Sequence, residues 1–175
     1  RNGRNNAIIA EIKCASPSSG VIRRNVDMAM MAGVLEQGGC IALSVLTEPY
    51  FFGGTCQDIA RVKSTVSLPV LRKDFIIDER QIAESRALGA DAVLLNAAVL
   101  KNRLPGFVDQ VLDHDLEPLV EVRTGAEAEL ALSTKAALIG INNRALTTLG
   151  VDRSTTRNLS ELVRRGALAM VPGEL

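Results

Sequence analysis

The chain has 175 residues, of which 47% are hydrophobic, and its 20 Lys and Arg residues balance 20 Asp and Glu residues. A chain of this length can bury a core and is most simply a single domain over residues 1–175. Because the charges cancel and the sequence has no Trp and one Tyr, we expect neither nucleic acid nor an anionic membrane surface as a partner. No apolar run is long enough to span a membrane and no signal-peptide core follows the first residues, so we expect a cytoplasmic protein.

The cysteines give a second bound on the chemistry. Cys14, Cys40 and Cys56 are odd in number, and their spacing matches no zinc-binding pattern. This usage predicts free thiols in a reducing compartment, and we expect no metal site.

Strand and helix patterns alternate almost without interruption along the chain. Short apolar runs predict strands at residues 7–13, 41–46, 70–71, 92–96, 119–122, 137–142 and 167–171. Capping residues, terminal glycines and apolar stripes of helical spacing predict helices at residues 28–37, 57–65, 79–88, 104–112, 125–133 and 154–163.

This alternation predicts a parallel sheet covered by helices, either an open doubly wound sheet or a closed barrel. No Gly-x-Gly-x-x-Gly follows the first strand, so the main nucleotide-binding signature of open sheets is absent. Three helix-to-strand junctions resemble one another, namely residues 39–41, 89–91 and 136–138. With about 25 residues per unit, we predict an α/β fold of the TIM (β/α)8 barrel type, present here as about seven βα units.

Residues 67–78 contain the lysine on which the functional prediction rests. Pro69 is tolerated at the start of a strand, and Asp78 followed by Gln81 is typical of a capped helix start. Lys73 therefore lies at the carboxyl end of a short strand, which is the catalytic face of an α/β barrel. An ammonium there can act as an acid or as a nucleophile, whereas a lysine on a solvated loop is the alternative without a function.

Charged residues inside otherwise apolar strands give a related signal. Parallel strands that are covered on both faces are continuous apolar runs, yet Glu11, Lys13 and Glu121 interrupt such runs. Since side chains alternate along a strand, the inward-facing set is Glu11, Lys13, Lys73, Glu121 and the Asn142 amide. Buried charges persist when they are paired, so a structural ion-pair cluster and a catalytic cluster both explain this set, and we favour the catalytic one.

Several motifs resemble those of indole-3-glycerol phosphate synthase, in the same order and spacing from the first strand nearly to the end. They are residues 9–13 with Ser16-Pro17-Ser18, 41–48 with 51–54, 68–76, 119–122 and 140–144. The resemblance implies a (β/α)8 barrel that uses no metal or organic cofactor. It also implies a carboxy-lyase of tryptophan biosynthesis, which closes the indole ring of 1-(2-carboxyphenylamino)-1-deoxyribulose 5-phosphate and releases carbon dioxide and water.

The resemblance also implies a role for each inward-facing residue. Lys73 is the general acid for the ketone, and Glu121 moves the proton that is lost as the new ring becomes aromatic. Lys13 neutralises the substrate carboxylate or serves as a second acid, while Glu11 fixes Lys13 electrostatically. Asn142 orients the substrate through hydrogen bonds.

Four further residues are candidates for contact with this small phosphorylated substrate. By resemblance, Ser16 and Arg144 line the substrate site. Phe75 and Leu95 are apolar candidates for walls around the anthranilate ring, although packing in the core explains both of them equally well.

Two departures from the family pattern lead us to expect a domain that is truncated at both ends. The family carries a helical extension before the first strand, and it continues Ser-Glu-Ser-Gly or similar after the seventh strand. Here the chain reads Val171-Pro172-Gly173-Glu174-Leu175 at this point, and Glu174 does not lie at the matching offset. We therefore expect no eighth βα unit, self-association through open barrel edges, and weak or absent turnover by the chain alone.

Two alternative functions stay open from the sequence. One keeps the barrel and makes Lys73 a nucleophile that forms a Schiff base, as in aldolases. The other is a non-catalytic barrel or fragment that needs a partner to complete it. The intact set of charged residues favours the synthase.

Overall fold

The computed structural model describes residues 7–144, 150–152, 154–163 and 168–170. The chain forms two compact units. Unit 1 contains the chain up to Asp74 together with Ala87–Asp91, and unit 2 contains Phe75–Arg86 and the chain from Ala92 onward. The single domain over residues 1–175 stays a prediction, and Glu174 lies outside the described residues.

Unit 1 alternates strand and helix around a parallel sheet. In chain order its elements are β1 (Ile9–Ile12), β2 (Ala15–Ser16), β3 (Gly20–Val21), α1 (Met28–Gln37), β4 (Ala42–Leu46), α2 (Gln57–Lys63) and β5 (Val70–Lys73). The strand order is β1-β4-β5, and both neighbouring pairs are parallel, as predicted. β2 and β3 form an antiparallel hairpin after β1, with strands too short to leave a pattern in the sequence.

The helices of unit 1 begin and end for local reasons. The carboxylate of Asp27 caps α1 by accepting a hydrogen bond from the Met30 amide at 3.0 Å. Beyond the end of α1, Gly39 has a φ of +86°, which residues other than glycine rarely adopt. α2 ends at Lys63, before the predicted residue 65, because the Ser64 hydroxyl turns back to the Arg61 carbonyl at 2.7 Å.

The start of β5 is anchored by an ion pair. The Asp91 carboxylate accepts a hydrogen bond from the Val70 amide at 2.7 Å and from Lys63 Nζ at 2.9 Å. Val70 itself is fully buried. One carboxylate therefore satisfies a buried backbone donor and an ammonium at the same time.

The strand register in unit 1 brings polar residues of neighbouring strands to the same face of the sheet. Glu11 lies beside Ser44, and Ser44 lies beside Leu71. One step further along the same face, Leu46 lies beside Lys73. Alternation therefore brings Glu11, Ser44 and Lys73 to one face of the sheet, toward the carboxyl ends of its strands.

Unit 2 repeats the alternation. Its elements are α3 (Glu79–Ala87, of which the last residue belongs to unit 1), β6 (Ala92–Asn96), α4 (Ala97–Leu100), a 3-10 turn (Lys101–Arg103), α5 (Leu104–Asp113), β7 (Glu117–Val122), α6 (Gly125–Leu132), β8 (Leu138–Ile141), α7 (Ser154–Val163) and β9 (Leu168–Met170). The strand order is β6-β7-β8-β9, and every neighbouring pair is parallel. The predicted last strand, 167–171, extends at both ends into residues outside those described.

In unit 2, α5 and α6 form where the sequence predicted them, whereas α4 was not predicted. α5 buries the predicted stripe, including Leu104, Phe107 and Val108. α6 is capped by the Thr124 hydroxyl, which accepts a hydrogen bond from the Glu127 amide at 3.2 Å. α4 was not predicted, because four residues are too few to show a helical period.

None of the helices in the described residues is long and apolar enough to cross a membrane. The three cysteines, all of which the structure describes, form no disulfide, as predicted. Within the described part of the chain, no group of three or more His, Cys, Asp or Glu residues is arranged to hold a metal ion.

Candidate active site

Three charged side chains of unit 1 meet at the carboxyl ends of β1 and β5. Lys73 Nζ lies 2.7 Å from Glu11 Oε2, and Lys13 Nζ lies 3.2 Å from Glu11 Oε1. We refer to Glu11, Lys13 and Lys73 as the Glu11 cluster. About a third of each side chain is open to solvent, with exposures of 29%, 36% and 26% respectively. The predicted convergence of these three residues on one face is confirmed, and the cluster is accessible to a ligand.

The Glu11 carboxyl is held in its ionised form. Burial raises its pKa, but the charge and hydrogen bond of Lys73, and then those of Lys13, lower it by more, so the pKa of Glu11 lies below its ordinary value of 4.5. The cluster therefore carries one more positive than negative charge at neutral pH. That surplus favours the binding of an anionic group.

Ser44 is a polar residue at this site that we did not predict. It lies beside Glu11 in the register, and only 5% of it is exposed. Its hydroxyl is buried and has no hydrogen-bond partner within the described residues. A buried hydroxyl without a partner costs roughly 1–3 kcal/mol, so Ser44 is a polar group beside Glu11 whose hydrogen bonding the described residues do not satisfy. The signal in the sequence was the one that identified Glu11, a polar residue inside an apolar strand.

Ser16, a predicted substrate contact, is engaged in local structure. Its hydroxyl accepts a hydrogen bond from the Ser19 amide at 3.1 Å and lies 3.3 Å from the Ser18 hydroxyl. These contacts close the turn between β2 and β3. The hairpin is in turn tied to the loop after β4, since the Ala15 amide donates to the Phe52 carbonyl at 3.1 Å. A contact between Ser16 and the substrate stays a prediction.

In unit 2, a buried carboxylate is held by an amide. Glu121, which is 8% exposed, accepts a hydrogen bond from Asn96 Nδ2 at 2.8 Å. The two residues are register partners at the carboxyl ends of β7 and β6. Asn96 Oδ1 also accepts a hydrogen bond from the Val99 amide at 3.1 Å, so one side chain caps α4 and orients Glu121. Sequence reasoning placed Asn96 at a strand end but gave it no function.

Asn142 and Arg144 follow β8. Gly140 is the register partner of Glu121, so alternation brings Asn142 to the face of Glu121, as predicted. Asn142 Oδ1 accepts a hydrogen bond from the Arg144 amide at 2.8 Å, which fixes the turn after the strand. The backbone of Arg144 also pairs with Val151 in an isolated antiparallel bridge. The roles of both side chains in substrate binding stay predictions.

The two apolar candidates differ in position. Phe75 is half-buried, and its carbonyl accepts a hydrogen bond from Gln81 Nε2 at 3.1 Å. Leu95 is fully buried and precedes Asn96, so alternation puts it on the face opposite Asn96 and Glu121. Leu94 shares the face of Asn96, and a contact between Leu95 and the substrate stays a prediction. Residues 93–95 are all apolar, so their pattern does not indicate the face that each one takes.

Curated proteins of similar sequence include several indole-3-glycerol phosphate synthases. The chain matches the family model described as indole-3-glycerol phosphate synthase over residues 1–172. It is 51% identical over 153 residues to the indole-3-glycerol phosphate synthase of Caldanaerobacter subterraneus subsp. tengcongensis, covering 87% of this chain and 60% of that protein. The enzyme of the same name from Clostridium acetobutylicum is 45% identical over 161 residues, covering 92% of this chain and 62% of that protein. The chain thus spans about 60% of the length of these curated relatives.

A solved structure has a similar fold. KGPDC from Streptococcus mutans superposes with a TM-score of 0.63 at 14% sequence identity, covering 86% of this chain and 74% of that one. At this identity the likeness concerns the fold alone. Together with the parallel strands and alternating helices of both units, it confirms the predicted α/β fold of the TIM-barrel type.

Proposed function

Because the chain belongs to the indole-3-glycerol phosphate synthase family, we propose that the protein carrying it closes the indole ring of 1-(2-carboxyphenylamino)-1-deoxyribulose 5-phosphate. The proposed enzyme is a carboxy-lyase of tryptophan biosynthesis, and its substrate is a small phosphorylated anion. The observation that carries the proposal is the Glu11 cluster, in which an ammonium at a strand end is hydrogen-bonded to a carboxylate and surplus positive charge faces solvent.

Ring closure needs an acid at the ketone. The aromatic carbon that bears the carboxylate attacks the ketone carbon, and the electrons of the carbonyl double bond move to its oxygen. Lys73 gives a proton to that oxygen as the new bond forms, which removes the developing negative charge. Lys13 balances the substrate carboxylate, and Glu11 holds both ammonium groups at 2.7 and 3.2 Å.

Two losses complete the reaction. Carbon dioxide leaves, and the electrons of the broken carbon–carbon bond restore the aromatic ring. Lys13, as the second acid, gives a proton to the new hydroxyl group, which leaves as water, while Glu121 takes a proton from the carbon next to nitrogen. The Asn96 amide, which donates to Glu121 at 2.8 Å, keeps that carboxylate oriented as a base.

The Schiff-base alternative requires a different state of Lys73. A nucleophilic lysine must first lose its proton, whereas an ammonium bound to a carboxylate 2.7 Å away is arranged as a proton donor. We therefore expect that borohydride added with substrate will trap no covalent adduct. Intact-mass spectrometry provides the measurement, and a mass increase that disappears in Lys73→Met would establish the imine-forming enzyme instead.

The function itself is tested by following the product. The protein carrying this chain is incubated with the carboxyphenylamino-deoxyribulose phosphate, and indole fluorescence is recorded against a reaction without protein. We expect fluorescence to grow in proportion to protein, with release of one carbon dioxide for each product. A pure, folded protein that forms no indole-glycerol phosphate would show the proposal to be wrong. Self-association stays a separate prediction.

A further inference from the structure

Arg72 is a charged residue that the proposed mechanism does not use. It lies in β5 on the face opposite Lys73, and 2% of it is exposed. Withdrawing a guanidinium from water carries a large free-energy cost, which an apolar side chain at the same position would avoid. A parallel strand that is covered on both faces is normally apolar throughout. The presence of a buried arginine in β5 therefore needs an explanation beyond packing.

The polar contacts of Arg72 include those to Thr47, Cys56 and Asp74. Its Nε donates to Thr47 Oγ1 at 3.3 Å, and its Nη2 donates to Cys56 Sγ at 3.1 Å and to Asp74 Oδ2 at 3.0 Å. The Thr47 hydroxyl donates to the same Asp74 oxygen at 2.7 Å. Thr47 is 1% exposed and the Asp74 side chain 10%. We refer to Arg72, Thr47, Asp74 and Cys56 as the Arg72 clamp.

The clamp surrounds the backbone of Lys73. Two of its members, Arg72 and Asp74, are the chain neighbours of Lys73. A third, Thr47, donates its backbone amide to the Lys73 carbonyl at 3.1 Å. The backbone of Lys73 is therefore fixed on both sides to the end of β4 and to the start of α2, while its side chain reaches Glu11 on the opposite face.

We propose that the Arg72 clamp is a positioning device that holds Lys73 for proton delivery. The proposal rests on the proposed function of Lys73 as the general acid. A displacement of the Lys73 backbone moves Nζ with it, and proton transfer is sensitive to shifts of a fraction of an ångström. In this role Arg72, Thr47 and Asp74 act through Lys73 rather than by touching the substrate.

Thr47 is the best residue for the test, because removing Arg72 or Asp74 would leave the other charge buried and the protein poorly folded. Thr47→Val keeps the shape of the side chain and removes the hydroxyl that contacts both Arg72 and Asp74, while the direct Arg72–Asp74 ion pair stays in place. Thr47→Ser keeps the hydroxyl and is the conservative rescue. Lys63→Met is the matched control, since it removes the ion pair with Asp91 at the other end of the same strand.

The kinetic experiment compares kcat and KM of the four proteins well below their unfolding temperatures. We expect Thr47→Val to lower kcat by about tenfold to a hundredfold with little change in KM. Thr47→Ser and Lys63→Met should stay near the parental kcat. The proposal is wrong if Thr47→Val keeps the parental kcat, or if Thr47→Ser loses as much as Thr47→Val.

A second readout does not depend on turnover. In protein labelled with ¹³C-lysine, the Cε resonance of Lys73 is assigned by its loss in Lys73→Met. Thr47→Val should change its chemical shift, and Thr47→Ser and Lys63→Met should not. An unmoved resonance in Thr47→Val would overturn the clamp. If the parental protein makes no product, the proposed function fails and this measurement alone decides the clamp.

Discussion

An ion pair between a lysine and a carboxylate lies at each end of β5. The two ion pairs differ in how their charges are balanced. At the start, the Asp91 carboxylate accepts hydrogen bonds from the Lys63 ammonium and from the buried Val70 amide. At the end, Glu11 takes two ammonium groups, from Lys73 and Lys13. The first arrangement has no net charge, while the second has a surplus positive charge.

This difference indicates what separates a structural lysine from a candidate catalytic one. Lys63 and Lys73 are almost equally exposed, at 27% and 26%, so exposure alone does not distinguish them. The partner does. Asp91, the partner of Lys63, also accepts a backbone hydrogen bond. Glu11, the partner of Lys73, is shared with a second ammonium, so the cluster keeps a positive charge that can attract an anion. Three experiments test this comparison.

The largest effect is expected on turnover. Lys73→Met removes the proposed acid and should lower kcat by about 10²–10⁴-fold, while substrate binding is largely retained. Lys63→Met removes a lysine of nearly equal exposure, which lies at the end of α2 and pairs with Asp91 near the start of β5. This variant should leave kcat near the parental value. Steady-state kinetics with indole fluorescence measures both. Equal kcat in Lys73→Met and the parent would remove the distinction between the two ends.

A smaller effect is expected on stability at the start of the strand. Asp91→Ala leaves the Val70 amide without its acceptor and should lower the free energy of unfolding by about 1–3 kcal/mol. Asp91→Asn keeps an acceptor oxygen and loses the charge, which should cost at most about 1 kcal/mol. Urea unfolding gives both values, and turnover should be unchanged. If the two variants prove equally stable, the backbone contact contributes nothing.

The smallest effect concerns pH and the Glu11 cluster. The pKa of Glu11 lies below its ordinary value of 4.5, so the folded state gains stability from its carboxylate above that pH. The gain is lost as the pH falls through the lowered pKa. Glu11→Gln should therefore be less stable than the parent at pH 7, by about 1 kcal/mol or less since the cluster is partly solvated. Urea unfolding at a series of pH values should show the gap closing below pH 4.5, and a gap that widens there would contradict the ion pairs.

Sequence periodicity was sufficient for the outline of the site. Glu11, Lys13 and Lys73 converge because a strand period of two fixes the face of each side chain once the strand is identified. The parallel fold followed from the same patterns. Short elements were beyond this reasoning, and the β2–β3 hairpin and α4 went unpredicted because two to four residues show no period.

Pairing across the sheet was the other limit. Asn96 was recognised as the end of a strand, but its contact with Glu121 depends on the register of β6 and β7, which no single segment encodes. Leu95 was named as an apolar candidate without a face, because residues 93–95 are all apolar. Arg72 gave no warning of its burial, since a lone arginine in a sequence is normally exposed.

Unit 1 is discontinuous in sequence, because Ala87–Asp91 returns to it after Phe75–Arg86. A polypeptide that stops after Asp74 would contain every strand of its sheet but would lack Asp91, the acceptor for the Val70 amide. A piece that extends through Asp91 keeps that acceptor, and carries residues 75–86 as an insertion. For dissecting this protein into separately produced fragments, the better cut therefore lies just before Ala92, because a cut at the end of β5 leaves the buried amide at the first residue of that strand without its acceptor.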